Sequence, residues 1–213
     1  MAEDAKVLEK IESAAKSAMK QKKPTKKSQI VYLSHGGGPL PILGDPSHKA
    51  MVGFMLQLPS QLRYPDAILV ISAHWEENVA SLLGARTPPM LYDYYGFPDQ
   101  AYEINYSAPG SPDFANKISA LLQKNNIPVH IDPQRGFDHG LFIPLKLMYP
   151  QADIPALQLS LLSDLKPATH IALGKALCEL NQENILVVGS GSTCMHKKKT
   201  KGLHSCHILL NKL

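Results

Sequence analysis

Two short runs of consecutive apolar residues, Ile30-Val31-Tyr32-Leu33 and Ala67-Ile68-Leu69-Val70-Ile71, most constrain how this chain folds. A strand with one wet face alternates apolar and polar side chains. A strand without that alternation is covered on both faces. Both runs are too short for helices of their own and read as buried strands. A sheet built from such strands needs a layer of helices on each side, which is an α/β architecture. Each run also leads into a histidine, in Ser34-His35-Gly36-Gly37-Gly38-Pro39 and in Ser72-Ala73-His74-Trp75. Side chains at the carboxyl ends of buried parallel strands face the crevice where open α/β sheets bind ligands.

The remaining pattern extends this architecture. Residues 48–62 have helical spacing, with Ala50, Met51, Phe54, Met55 and Leu58 on the inward side. Residues 86–110 form a long loop rich in Pro, Tyr and Gly. Ser111-Pro112-Asp113 opens a helix to Asn125, with Ser as N-cap and Pro at the first helical position. Strands are predicted over 127–131, 154–161 and 184–188, a loop and short helix over 138–149, and a helix over 169–181. The expected fold is a three-layer α/β/α domain with a largely parallel central sheet over residues 29–191. Residues 1–28 read as a Lys-rich helix and linker, and residues 192–213 as an atypical basic tail. No helical pattern follows the last strand, so the domain is expected to be incomplete at its C-terminus. Exposed sheet would then favour poor solubility or a homodimer.

Charge is unevenly spread. Residues 1–27 hold eight Lys against four acids and residues 197–213 hold five Lys and no acid, leaving nine basic and fourteen acidic residues between 28 and 196. The body is acidic and shows no basic stripe interleaved with aromatics, which argues against a nucleic-acid partner. No apolar run is long enough to span a bilayer, and the N-terminus lacks the apolar core of a secretory signal. The cysteines, Cys178, Cys194 and Cys206, are odd in number and lack a framework spacing. A reducing, cytoplasmic setting is expected.

Several segments could carry chemistry. The His-Gly-Gly-Gly run beginning at His35 suits either an esterase oxyanion loop or a metal ligand. A serine esterase also needs a G-x-S-x-G elbow, and the chain has none. Paired with His74, His35 is read as a metal ligand, with Glu76 or Glu77 as the carboxylate that ligates or orients His74. Arg135-Gly136-Phe137-Asp138-His139-Gly140 offers Asp138 and His139 as an acid/base pair or an oxygen-binding group, or simply a turn. Tyr92-Asp93-Tyr94-Tyr95-Gly96-Phe97-Pro98 gathers aromatics in the long loop, suited to a ring-bearing substrate or to packing on itself. His196 lies beyond the last strand, at the same sheet edge if the strands are parallel, and is a candidate third ligand, a second acid/base candidate or a tail residue.

Together these motifs resemble the class III extradiol ring-cleavage dioxygenases, in particular the DOPA 4,5-dioxygenase type. The carriers are Ser34–Pro39, Ile71-Ser72-Ala73-His74-Trp75-Glu76, Tyr92–Pro98, Ala108-Pro109-Gly110, Arg135–Gly140 and Val188-Gly189-Ser190-Gly191, in that order from about Gln29 to Gly191. The resemblance implies an α/β/α domain that opens a catechol-type ring with O2 at non-haem Fe(II), with Zn(II) often present in isolated protein. It implies His35 and His74 as metal ligands and His139 as a catalytic residue lining the substrate and oxygen site, with His196 second. Tyr95 and Asp138 are the expected substrate contacts. The family's later His-Pro-Glu ligand motif is absent. The competing expectation is therefore a truncated, inactive isoform that retains partial metal or partner binding.

Overall fold

The computed structural model describes residues 27–191. Six strands form one sheet: β1 (Gln29–Ser34), β2 (Ala67–Glu77), β3 (Ala80–Leu83), β4 (Val129–Asp132), β5 (Ala156–Leu162) and β6 (Ile185–Gly191). Their order across the sheet is β1-β6-β2-β5-β3-β4. Neighbours run parallel except β3 and β5, which meet antiparallel at Leu82 and Leu159, so the sheet is mixed but largely parallel. Ile68, Leu69, Val70 and Ile71 are fully buried, as are Leu157, Leu159 and Leu161 on β5. That burial on both faces comes from helices packed in two sets. Helix α1 (Lys49–Gln57) packs on α3 (His139–Met148), which touches β2 and β6, while α2 (Pro112–Lys124) and α4 (Pro167–Ala176) pack together over β3, β4 and β5. The architecture is the α/β/α sandwich expected.

Differences from the sequence reading are local. The predicted helix over 48–62 is α-helical only to Gln57 and continues as a 3-10 turn over Leu58–Gln61, where Pro59 lacks the amide for an α-helical bond. Its inward stripe is narrower than expected: Met55 and Leu58 are buried, but Ala50 is exposed and so is Phe54. The helix predicted over 169–181 begins at Pro167 and becomes a 3-10 turn at Leu177. Strand β3 was not anticipated. Ser111 does cap α2, accepting from Phe114 N at 3.3 Å. Asp138 caps α3 in the same way, accepting from Leu141 N at 3.3 Å. Residues 1–26 of the Lys-rich N-terminal segment, and the basic tail with His196, lie outside the described residues.

Candidate metal centre

The three strands β1, β6 and β2 end side by side, and their register fixes what meets there. Ser190 on β6 stands beside Leu33 of β1 on one side and Ser72 of β2 on the other. His35 follows the end of β1 and is buried, with Nδ1 2.8 Å from Ser190 Oγ. Strand β2 runs to Glu77, well beyond the Ile71 that closes its apolar run, and its register against β5 shifts between Ile71 and Glu76. Such a bulge re-aims side chains at a sheet edge. Here the irregular stretch contains His74, whose Nε2 lies 2.9 Å from Nε2 of His35. Helix α3 begins at His139. His139 enters the same space, its ring centroid 4.0 Å from that of His74 and 4.9 Å from that of His35.

Among the described residues, His35, His74 and His139 form the cluster able to hold a metal ion, each offering one ligand atom within 4.8 Å of the others. Their chemistry fits that use. Burial, followed by the neighbouring His139 and His74, holds His35 well below the usual imidazole range, with Asp93 opposing weakly. It is therefore kept in the neutral form that ligates metals. The ring nitrogens away from the cluster are engaged: Nδ1 of His35 with Ser190, Nδ1 of His139 with Asp93 Oδ1 at 2.7 Å, and Nδ1 of His74 3.7 Å from Asp93 Oδ2. Such outer partners fix ring orientation and raise ligand basicity. Burial pushes the Asp93 carboxyl up, but the side-chain and charge interactions with His139 outweigh it and bring Asp93 below its ordinary value.

In the metal-free protein the burial of His35 ties stability to pH. Above pH 6.5 the His35 ring is neutral in both folded and unfolded chains and contributes no pH dependence. As pH falls through 6.5 the unfolded chain takes up a proton that folded His35 refuses. Stability is expected to drop by as much as about 1.4 kcal/mol per pH unit until the folded ring also protonates. Urea midpoints of metal-free protein between pH 7 and pH 5 measure this, and a flat profile would contradict it.

The carboxylates near the site differ from those anticipated. Glu77 accepts from Trp75 Nε1 at 2.9 Å and Glu76 is exposed, so neither partners His74. Asp93 from the long loop, its Oδ2 3.7 Å from His74 Nδ1, takes that place. Asp138 does not bond its neighbour His139: it is fully buried and accepts from Ser72 Oγ at 2.9 Å and from Arg135 Nη2 at 3.1 Å. Tyr95 is 92% exposed, whereas Tyr94 is buried with its ring 5.8 Å from His139. Of the predicted site residues, the structure brings His35, His74 and His139 together. Asp93, Ser190 and Ser72 were missed, although each lies inside a motif quoted for the resemblance.

The model of the catalytic LigB subunit of aromatic ring-opening dioxygenases matches residues 31–205 of this chain. The chain belongs to the LigB family. Curated relatives agree with this assignment. A 4,5-DOPA dioxygenase extradiol of Beta vulgaris is 44% identical over 77% of this chain, and one of Escherichia coli K12 is 38% identical over 82%. A dioxygenase of Hapsidospora irregularis, tasH, is 43% identical over 78% of this chain. This LigB chain spans 54% to 62% of the length of those three relatives. A crystal structure of an uncharacterised Escherichia coli K12 protein superposes with a TM-score of 0.55 at 38% identity, covering 66% of this chain and 52% of that one.

Proposed function

We propose that this chain is an extradiol dioxygenase that opens a catechol-type ring with O2 at non-haem iron(II), the same imidazoles also accepting zinc. The observation that carries the reading is the convergence of His35, His74 and His139 at the strand ends of a LigB-family domain. Iron(II) held there supplies open positions for a chelating diol and for O2, and a path for electrons between them. The assignment of His35 and His74 as ligands rests on their facing Nε2 atoms, 2.9 Å apart.

His139 is the acid/base residue in this reading. Asp93 accepts from its backbone N at 3.0 Å and holds its Nδ1 at 2.7 Å. With Nδ1–H held by a carboxylate, Nε2 is the basic atom, suited to take the proton of a substrate hydroxyl and to return one to the opened product. Buried Tyr94 walls this side of the space, and the exposed ring of Tyr95 is the side chain available to cover a bound aromatic. The curated relatives' name makes DOPA, a catechol with an amino-acid side chain, the first substrate to offer.

The test is O2 uptake by protein reconstituted anaerobically with iron(II), offered DOPA and simpler catechols. Uptake matched by a yellow semialdehyde product is expected. His139→Ala is expected to keep its metal and lose roughly 10²–10⁴-fold in turnover, the usual contribution of a positioned acid/base. No uptake from folded, iron-loaded protein would overturn the reading.

A further inference from the structure

Asp138 is the least exposed carboxylate near the cluster, yet it touches none of the three imidazole rings in the hydrogen-bond network. Its partners are all structural elements that carry them. Oδ1 accepts from Ser72 Oγ at 2.9 Å, and Ser72 Oγ in turn accepts from the backbone N of His74 at 3.2 Å. The same Oδ1 accepts from Leu141 N and so closes the first turn of α3, the turn that starts with His139. Oδ2 accepts from Arg135 Nη2 at 3.1 Å, and the Arg135 guanidinium lies 4.2 Å over the Trp75 ring. Trp75 follows His74 and is itself buried.

We infer that Asp138 is the positioning residue that sets the spacing of His74 and His139, tying the β2 bulge through Ser72 to the first turn of α3. The inference rests on the metal reading of the cluster and assigns Asp138 a role other than substrate contact. Three features support it. A bulged stretch of strand is not held by regular ladder bonds, so its backbone needs another anchor. The approach between the two elements is close: a Cβ on Gly140 would run into Ser72 Oγ and come within 3.1 Å of Asp138 Oδ1, so a side chain there would force the Ser72–Asp138 pair to move. The carboxylate also has its counter-charge in place, since Arg135 is fixed by stacking on the residue next to His74. One buried carboxylate thereby orients two of the three imidazoles, while His35 depends separately on Ser190.

The discriminating variant is Ser72→Ala, which cuts the link to His74 while leaving the helix cap and the Arg135 pair. Zinc affinity is measured by competition titration on protein shown by circular dichroism to be folded. Loss of a partner bonded to a ligand's own ring weakens metal binding by roughly 10–100-fold, and loss of a backbone anchor is expected at the lower end of that range. Ser72→Ala is expected to fall in that range, Asp138→Ala to fall at least as far, and the double variant to add no further loss. Asp138→Asn keeps the oxygen that caps α3 and accepts from Ser72 but turns an amide N–H toward Arg135, and is expected to fall between the parent and Asp138→Ala. If Ser72→Ala binds zinc as tightly as the parent chain and only its melting temperature falls, the role is structural and the inference is overturned. His35→Ala separates the two levels of the reading. If it binds zinc like the parent, or the parent does not bind, the metal reading fails and this inference with it. If His35→Ala loses zinc and Ser72→Ala does not, the inference alone fails.

Discussion

Replacing His35 by alanine is expected to remove zinc or iron binding from the folded chain and to reduce O2 uptake to background. The imidazole is nearly fully buried between two fixed points, Ser190 Oγ at 2.8 Å and His74 Nε2 at 2.9 Å. The three residues that follow it are glycines and bring no side-chain ligand of their own. Loss of an outer partner costs roughly 10–100-fold in metal affinity, and loss of a ligand costs more. The substitution also strips Ser190 of its partner at a buried position, an added destabilisation of about 1–3 kcal/mol. Zinc titration beside a circular dichroism spectrum separates the effects. A folded variant with parental zinc affinity would place the metal somewhere other than this cluster.

How far the site could be read in advance follows from range along the chain. His35 and His74 stood out because each ends a run of buried strand residues, and parallel strands bring such ends together. His139 was marked by its Asp-His-Gly setting, but not that α3 would begin there and turn it into the cluster. Asp93 could not be assigned from spacing, because it lies 46 residues from the ring it orients, with no periodicity linking them. Nearer acids, Glu76 and Glu77, drew attention instead, but Glu77 is taken by Trp75 and Glu76 is exposed. The same limit applies to the fold. Strand β3 is four residues long and starts three residues after β2 ends, too short to show a period. That β5 lies between β2 and β3 in the sheet is a tertiary fact that local pattern does not encode.

A second large effect is expected at Gly110, at the base of the long loop. Its N donates to Arg86 O at 2.9 Å, and the adjoining Pro109 O accepts from Ala156 N at 2.9 Å. These bonds pin together the two ends of the loop that carries Asp93 and Tyr94 and fasten it to β5. A Cβ on Gly110 would overlap the Ala85 carbonyl oxygen and come 3.0 Å from Pro88 Cγ. The obstruction is backbone, so no rotamer change relieves it. Gly110→Ala is therefore expected to destabilise the chain by about 1–3 kcal/mol, the range of overpacked sites. In a chain of this size each kcal/mol lowers the melting temperature by roughly 2–4 °C. Because the strain falls at the base of the loop, Asp93 shifts with it, and turnover is expected to fall through His139 more than zinc affinity does. Gly53→Ala is the matched comparison. Gly53 lies inside α1 with nothing within 4 Å of its would-be Cβ, and alanine there gains about 0.8–1 kcal/mol of helix propensity. Opposite shifts in melting temperature for the two alanines would show that the loop is held by close backbone contact at its base. Equal, stabilising shifts would show that the base yields, and that Asp93 is held in place by its imidazole partners and not by the base of the loop.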